Sequence, residues 1–205
     1  LAPSGKKILI LERGGFIPKE KENWDPHEVV TKGRYRPDDT WYDGDDKPFK
    51  PFIHYNVGGN SKMYGAALFR FREKDFESVT HYGGESPAWP LSYDDYEPYY
   101  EKAEKLYSTH GKQGIDPTEP WRNKDYPLPP SPYEPLIKDL ERNMHQLGLK
   151  PFPLPMGVKL PQDYTETEAP VMLENFDGFP DLTDSKADGQ VTCLRPALQN
   201  KNVTL

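Results

Sequence analysis

The chain has 205 residues, with 33 Asp and Glu against 26 Lys and Arg, and a formal net charge of −7. Its basic residues are interspersed with acidic ones, which argues against nucleic acid as a partner, because phosphate binding requires clustered Lys and Arg. The sequence contains no run of about 18 apolar residues, so no membrane span is predicted. The 23 Pro and the 35% hydrophobic content predict a loop-rich chain rather than one complete compact core.

A single cysteine, Cys193, excludes an intramolecular disulfide and any cysteine-based metal site. It also favours a reducing compartment, so a cytoplasmic location is predicted. Acidic side chains are frequent between residues 161 and 184, but they lack the Asp-x-Asp-x-Asp-Gly spacing of a calcium loop. No metal site is therefore predicted there, among Asp163, Glu166, Glu168, Glu174, Asp177, Asp181 and Asp184.

The first predicted element is a buried parallel strand, because Ile8 to Leu11 form an unbroken aliphatic run. Glu12 ends this run. In a doubly wound nucleotide-binding sheet, an acidic residue at the carboxyl end of a strand accepts hydrogen bonds from ribose hydroxyls. A solvated carboxylate at the strand end is the alternative interpretation of Glu12.

Residues 16–56 show neither helical nor strand periodicity and are rich in Asp, Lys, Pro and Trp. Segments of this length are usually functional or disordered, and the aromatic side chains here favour packing over disorder. The family resemblance described below implies a lid or an oligomer contact for this segment, with an ordered surface loop as the alternative.

The second informative stretch runs from Val57 to Leu68 and reads Val-Gly-Gly-Asn-Ser-Lys-Met-Tyr-Gly-Ala-Ala-Leu. Adjacent glycines before Asn and Ser predict a tight loop that leads into a helix. Such a loop lets a large ligand approach the main chain, because glycine has no Cβ and the first helical amides are free to donate. An ordinary turn is the alternative, since Gly-Gly is common in turns.

Beyond this loop, the charged cluster that contains Arg70, Arg72, Glu73 and Asp75 is predicted to be solvated, and pairing of the two arginines with these acids is the alternative. His81 lies in a predicted glycine turn, where a surface imidazole is a more common role than a catalytic base.

Two helices are predicted next. Ser92 is a candidate cap for a helix that continues to about Thr109. Its predicted core stripe is Tyr96, Tyr99, Tyr100, Ala103, Leu106 and Tyr107. After a proline-rich connection, an amphipathic helix is predicted from Tyr133 to Leu147, with Leu136, Ile137, Leu140, Met144 and Leu147 on one face.

The last part of the chain is predicted to contain an edge strand and a further helix. Alternating prolines from Pro151 onwards indicate the edge strand, because proline cannot donate to a central ladder. Lys186 to Leu198 are predicted to form the helix, and Val203 to Leu205 to begin another strand.

Four segments in this order resemble the flavin-dependent glucose-methanol-choline (GMC) oxidoreductases. They are Ile-Leu-Ile-Leu-Glu-Arg-Gly-Gly at 8–15, the loop at 57–68, Trp-Pro-Leu-Ser-Tyr with the helix that follows at 89–104, and Ser-Lys-Ala-Asp through Arg-Pro-Ala-Leu to Asn-Val-Thr-Leu at 185–205. The resemblance covers nearly the whole chain.

The resemblance implies an α/β fold with a partial Rossmann-like FAD-binding domain, a helical and irregular covering region, and part of a substrate domain. It implies that Glu12 and Arg13 lie at the adenosine ribose and that Gly58, Gly59, Asn60 and Ser61 pass along the pyrophosphate and the flavin. Gly65 and Ala66 would let the next segment approach the isoalloxazine. Met63 stands where some relatives attach the flavin through His, so FAD is expected to be held non-covalently.

The chain departs from the family pattern in three ways. Eleven residues precede Glu12, which leaves no room for the Gly-x-Gly-x-x-Gly fingerprint expected about 20 residues upstream. The carboxyl-terminal catalytic His of the family has no counterpart here, so no catalytic residue is assigned. Tyr64 replaces an Asn that is frequent in relatives. An internal fragment that completes its site with the remainder of the same polypeptide is therefore expected.

The expected organisation is a partial FAD-binding domain at 1–75 with its covering loop at 16–56, a helical region at 76–148, part of a substrate-binding domain at 149–184, and a return to the FAD domain at 185–205. The implied activity is oxidation of a small-molecule alcohol, sugar or choline-like CH–OH donor by hydride transfer to flavin. Two alternatives remain: an NAD-dependent Rossmann dehydrogenase, which Glu12 would serve equally well, and a non-enzymatic binding module on a relic flavin fold.

Overall fold

A computed structural model describes residues 1–160 and 176–205. The chain divides into two compact units. The described part of the first unit comprises residues 1–66 and 176–205, and that of the second comprises residues 67–160. The first unit therefore contains both ends of the chain, together with the strand, the glycine loop and the Ser185–Asp188 segment singled out in the sequence.

The strands, in chain order, are β1 (Ile8–Leu9), β2 (Trp41–Tyr42), β3 (Pro48–Phe49), β4 (Val79–His81), β5 (Gly84–Ser86), β6 (Thr109–His110), β7 (Met156–Gly157) and β8 (Val203–Thr204). The longer helices are α1 (Tyr93–Leu106) and α2 (Pro135–Gln146), followed by the short helix α3 (Arg195–Ala197). Short 3₁₀ or π-helical turns occupy Ala2–Ser4, Lys21–Trp24, His27–Thr31, Gly59–Lys62, Glu73–Phe76 and Gln190–Leu194.

The first unit pairs β1 with β8 in parallel, with Ile8 opposite Val203 and Leu9 opposite Thr204. The parallel pairing confirms the predicted direction of this strand. The prediction that the strand is buried was wrong, because Leu9 and Leu11 are 68% and 85% exposed. Among the described residues β1 pairs with β8 alone, so its outer aliphatic side chains have no neighbouring strand to cover them. A Rossmann-like sheet stays a prediction on this evidence.

The long segment after β1 is ordered and contains the antiparallel hairpin of β2 and β3. Trp41 and Phe49 pack edge to face across this hairpin, with ring centroids 6.3 Å apart. Trp24 Nε1 donates to the carbonyl oxygen of Pro180 over 3.0 Å, which ties the segment to the carboxyl-terminal part of the same unit. Packing rather than disorder is thus confirmed, whereas a lid or oligomer role stays a prediction.

The predicted helix after Lys186 begins later than expected, with the turn at Gln190–Leu194 followed by α3. Asp184, which lies before it, is held by side-chain hydrogen bonds from Lys19 and Arg195 instead. Partial burial opposes ionisation of Asp184, but hydrogen bonds from Arg195 and Lys19 outweigh it and lower the pKa of this carboxyl to about 2.

In the second unit, the predicted Ser92 cap of α1 is confirmed. Ser92 and Asp95 form a reciprocal capping box, in which the Ser92 backbone N–H donates to Asp95 over 2.9 Å. The predicted core stripe was wrong in part, because Tyr99 and Leu106 are exposed while Tyr93, Glu97 and Glu104 are buried. The helix therefore buries two carboxylates on its inner face.

These carboxylates explain why the predicted solvated arginine cluster was also wrong. Arg70 is buried, its Nε donates to Glu104 over 2.7 Å, and its Nη1 donates to Glu97 over 3.2 Å. Arg72 pairs with Asp116. Buried charges persist where they are paired and hydrogen-bonded, and the acids that pair with Arg70 lie 27 and 34 residues away along the chain.

The second unit also contains the β4–β5 hairpin at the predicted His81 turn and the antiparallel pair of β6 and β7. β7 falls within the segment predicted to be an edge strand. The helix α2 is formed as predicted, and its apolar residues Leu136 and Leu140, with Leu147 directly after it, are largely exposed within the described residues. Residues 161–175, which include most of the acidic segment and part of the predicted substrate-domain region, lie outside the described residues.

Candidate functional site

The structure brings the end of the first strand together with the segment that leads into the glycine loop. The backbone N–H of Val57 donates to the carbonyl oxygen of Gly15 over 3.0 Å. At Gly14 the two main chains come so close that a Cβ would lie 2.0 Å from the carbonyl oxygen of Tyr55. A side chain has no room there, so glycine is required by this close approach.

Glu12 and Arg13 lie directly before this contact. One carboxylate oxygen of Glu12 accepts a hydrogen bond from the backbone N–H of Gly14 over 2.8 Å, and the residue is exposed. Arg13 forms two hydrogen bonds with Asp39, of 2.8 and 3.2 Å, and its guanidinium lies 3.8 Å from the ring centroid of Tyr55. The guanidinium lowers the pKa of Asp39 through these hydrogen bonds. The Glu12 carboxylate is thus open to a ligand, whereas the Arg13 side chain is engaged with Asp39 and Tyr55.

The glycine loop turns through left-handed backbone conformations, with φ of 96° at Gly58 and 54° at Gly59. Residues other than glycine adopt such angles only with strain. A Cβ at Gly59 would meet no atom within 4 Å, so the main chain at this position faces open space. The loop is therefore a tight turn whose backbone a ligand can approach.

The side chains of Asn60 and Ser61 stabilise the loop itself. Asn60 Oδ1 accepts from the backbone N–H of His54 over 2.8 Å, and its amide nitrogen donates to the carbonyl oxygen of Phe52 over 3.2 Å. Ser61 Oγ donates to the carbonyl oxygen of Gly58 over 2.5 Å and accepts from the backbone N–H of Gly189 over 2.9 Å. A ligand at this loop would accordingly meet main-chain groups.

Two buried lysines, for which the sequence predicted no role, stabilise the glycine loop through an ion pair and hydrogen bonds. Lys62 Nζ lies 2.8 Å from Asp188 Oδ2, and the two side chains are 6% and 0% exposed. Lys186 is fully buried and donates to the carbonyl oxygens of Phe176 and Phe179 over 2.7 and 2.8 Å. Burial lowers the pKa of Lys186 to about 8 against the raising effect of nearby carboxylates.

In the sequence, these lysines could have been noticed through the segment Ser185–Asp188. This segment contributed to the family resemblance, but no structural role was predicted for it. In the structure this segment lies against the glycine loop, where the Tyr64 hydroxyl donates to the carbonyl oxygen of Ala187 over 2.6 Å. Three of the four segments noted in the sequence therefore meet within the first unit.

Gly65 and Ala66 end the loop. A Cβ on Gly65 would lie 2.9 Å from Asp177 Oδ1, so this glycine permits the close approach of a carboxylate. Ala66 is fully buried and has a φ of 58°, which is uncommon for a residue with a side chain. These two positions are closely packed against protein atoms, and their approach to a flavin stays a prediction.

Within residues 1–160 and 176–205, no group of three or more His, Cys, Asp or Glu side chains is arranged to bind a metal ion. The part of the chain that the structure describes also contains no helix long and apolar enough to cross a bilayer. Most of the acidic residues noted between 161 and 184 lie outside the described residues.

Comparison with known proteins finds similarity to named oxidoreductases. A 2-methyl-1,2-propanediol dehydrogenase of Mycolicibacterium austroafricanum is 30% identical over 141 residues, covering 63% of this chain and 25% of the relative. A 6'''-hydroxyparomomycin C oxidase of Streptomyces lividus is 31% identical over 110 residues, covering 53% and 20%. The fructose dehydrogenase large subunit of Gluconobacter japonicus is 30% identical over 139 residues, covering 65% and 24%.

The matched part of the chain thus spans a quarter or less of the length of these relatives. No family model matches the chain. The relatives are dehydrogenases and an oxidase, which agrees with the predicted class of oxidoreductase.

Proposed function

We propose that this chain is part of an FAD-dependent, GMC-type oxidoreductase that oxidises a CH–OH donor by hydride transfer to the flavin. The observation that carries the proposal is the meeting of Glu12–Gly15, which follow β1, with Tyr55–Val57, which lead into the glycine loop, in one unit. Strand-end carboxylates and glycine turns with an accessible main chain are the groups that recognise the ribose and the diphosphate of a dinucleotide.

The residues present fit such a cofactor. Glu12 has an exposed carboxylate for ribose hydroxyls, and the main chain at Gly59 faces open space in which a diphosphate or a flavin edge can lie. Gly14 and Gly58 have backbone positions that a side chain would obstruct or strain. When bound, FAD supplies the hydride acceptor, and the residues of this chain hold and orient it without a covalent bond.

The substrate class follows from the names of the relatives. A propanediol, a hydroxyparomomycin and fructose all carry hydroxyl groups, so we propose an alcohol or a sugar as the donor. No residue of this chain is assigned the proton-accepting role. The site is completed by the remainder of the same polypeptide, and a cytoplasmic location stays a prediction.

The direct test is the absorption spectrum of the full-length protein, purified without added cofactor and scanned from the near ultraviolet into the visible. Flavin bands that are released from the protein on denaturation support a non-covalent FAD enzyme. If the protein contains no flavin and does not bind added FAD, the proposal is wrong. NADH binding would then favour an NAD-dependent dehydrogenase, and its absence a non-enzymatic module.

A second experiment assigns the cofactor role to a residue. Glu12→Gln retains an oxygen that can accept from the Gly14 amide but removes the charge, and charge-assisted hydrogen bonds are stronger than neutral ones. We expect the dissociation constant of FAD to rise roughly tenfold, the equivalent of about 1.4 kcal/mol. Glu73→Gln, an exposed carboxylate in the second unit, is the matched control and should leave FAD binding unchanged.

A further inference from the structure

A cavity of about 600 Å³ lies beside α2, entirely within the second unit. Its volume is in the range of small-molecule binding sites. One face of α2 forms it together with three segments: the residues after β6, the proline-rich connection before α2, and the residues between α2 and β7. The proposed function gives this cavity no role, because the residues assigned to the cofactor belong to the first unit.

Backbone pairing around β6 brings these segments together. β6 pairs antiparallel with β7, so the chain after β6 runs alongside the chain before β7. Directly after β6, the backbone N–H of Gly111 donates to the carbonyl oxygen of Leu128 over 3.0 Å, which holds the proline-rich connection in place. Lys112 and Lys150 therefore line the same cavity, although they are far apart in the sequence.

The basic side chains at this cavity are not used by the protein itself. Lys112, His145 and Lys150 are exposed, and among the described residues none of their side chains forms an ion pair or a hydrogen bond. Several other basic side chains of the second unit are paired with carboxylates, namely Arg70, Arg72, Arg122, Lys124 and Arg142. Because the chain has a formal net charge of −7, two such lysines at one cavity are a local reversal of its charge.

The rest of the lining combines apolar walls with two further polar side chains. Glu141 lies one helical turn before His145 on α2, which places both residues on the same face of the helix. Burial and the nearby Glu141 carboxylate raise the pKa of the Tyr133 hydroxyl, which therefore keeps its proton and can donate to an anion. Ile115 and several prolines supply apolar surface. Walls of low polarity strengthen the attraction between the lysines and an anion.

The charges of the lining favour a singly charged anion. Two lysines against one carboxylate leave one positive charge in excess, and the imidazole of His145 adds a donor or an acceptor. A polyanion would be repelled by the Glu141 carboxylate, and a cation would be repelled by both ammonium groups. An anion with an apolar body pairs with the lysines and covers the isoleucine and proline surface.

We propose that the cavity lined by Lys112, His145 and Lys150 is a binding site for a small organic carboxylate with an apolar body. The lysines pair with the carboxylate, and the apolar walls contact the body of the ligand. These residues are distinct from those assigned to the cofactor, so the existence of the site does not depend on the proposed function.

Methyl NMR of the full-length protein tests the site, with benzoate as the probe. Ile115 lines the cavity, so its δ1-methyl signal, assigned by its loss in Ile115→Leu, reports binding at this place. Benzyl alcohol and benzylammonium are similar in size to benzoate but neutral and positively charged. We expect benzoate to shift the signal saturably, benzyl alcohol to bind about three- to tenfold more weakly, and benzylammonium to cause no shift.

Matched variants test the role of the two lysines. Lys112→Met and Lys150→Met keep an unbranched side chain and remove the charge, so each should raise the dissociation constant of benzoate about two- to fivefold. Added salt should raise the same constant in the wild type, because it screens exposed charges. Lys105→Met changes an exposed lysine of α1 outside the cavity and should leave benzoate binding unchanged.

Three results would overturn the carboxylate site: no saturable shift of the Ile115 signal with benzoate, equal binding of benzoate and benzyl alcohol, or an unchanged dissociation constant in both lysine variants. The comparison of the three probes uses the wild type alone, so it decides the question even if a variant fails to fold. Failure of the proposed function is recognised separately. A protein that lacks flavin but binds benzoate at Ile115 rejects the flavin enzyme and retains this site, and a flavin-containing protein without a response at Ile115 does the reverse.

Discussion

The buried ion pair behind the glycine loop gives a prediction whose size follows from the structure. Asp188 Oδ2 pairs with Lys62 Nζ at 2.8 Å, while Asp188 Oδ1 accepts from the backbone N–H groups of Gln190 and Val191 over 2.8 and 2.9 Å. Asp188→Asn retains an oxygen for those two amides and removes the charge. Because Lys62 is then a buried cation without its partner, the free energy of unfolding should fall by about 3–5 kcal/mol.

The double variant Lys62→Met/Asp188→Asn removes both charges and keeps the acceptor for the two amides. Replacing a buried ion pair with groups of similar volume is often neutral. We therefore expect the double variant to recover most of the lost stability, with a coupling energy of up to about 3 kcal/mol between the two sites. This recovery distinguishes an uncompensated charge from a general defect in packing.

The assay is urea unfolding of the purified protein followed by tryptophan fluorescence. Trp24 reports on the first unit because its Nε1 donates to Pro180. Lys47→Met is the control: it removes the exposed pair of Lys47 with Asp45, whose side chains are 72% and 76% exposed, and should give no measurable change. The reasoning is refuted if Asp188→Asn unfolds like the wild type, or if the double variant loses the sum of both single changes.

Three further outcomes are expected. Gly14→Ala should destabilise the protein by about 1–3 kcal/mol, because its Cβ would overlap the main chain of Tyr55. Gly15→Ala should be tolerated, because a Cβ there meets no atom within 4 Å. Thermal unfolding compares the two variants, and equal stabilities would contradict the predicted difference. Asp184→Asn should remove the loss of stability that the wild type shows as pH falls from about 4 to 2. The folded-state pKa of this carboxyl, about 2, lies below its unfolded value, so its contribution to stability is complete above the unfolded pKa and is lost as the carboxyl becomes protonated. Denaturation curves measured across this pH range test the prediction. An equal dependence of stability on pH in both proteins would contradict it. Arg70→Met should cost about 3–5 kcal/mol in urea unfolding, since buried Glu97 loses its cation and buried Glu104 keeps only Arg122; a stability equal to that of the wild type would show that the network contributes nothing.

Local signals in the sequence were sufficient for the elements whose stability is local. The cap at Ser92 and the helical spacing that follows it predicted α1, and proline spacing predicted an extended segment before β7. The glycine pair at Gly58 and Gly59 predicted a turn, and both residues adopt the left-handed backbone that glycine permits. Each of these features depends on residues within a few positions of one another.

The inner face of α1 shows where such reasoning fails. Helical spacing placed a tyrosine stripe in the core, and a hydrophobicity pattern cannot recognise that Glu97 and Glu104 are buried instead. Their burial depends on Arg70, which lies 27 and 34 residues earlier. Acids close to Arg70 in the sequence appeared to be its obvious partners. Only the tertiary structure shows that it pairs with the distant Glu97 and Glu104 instead.

The sequence by itself determined the strand that begins at Ile8, the glycine turn and the family resemblance, because these follow from residue type and order. Only the tertiary structure decided that Gly14 touches Tyr55, that Ser185–Asp188 supports the loop from behind, and that Lys112 and Lys150 line one cavity. Such contacts join residues far apart in the chain, and their geometry depends on the packing of every segment between them.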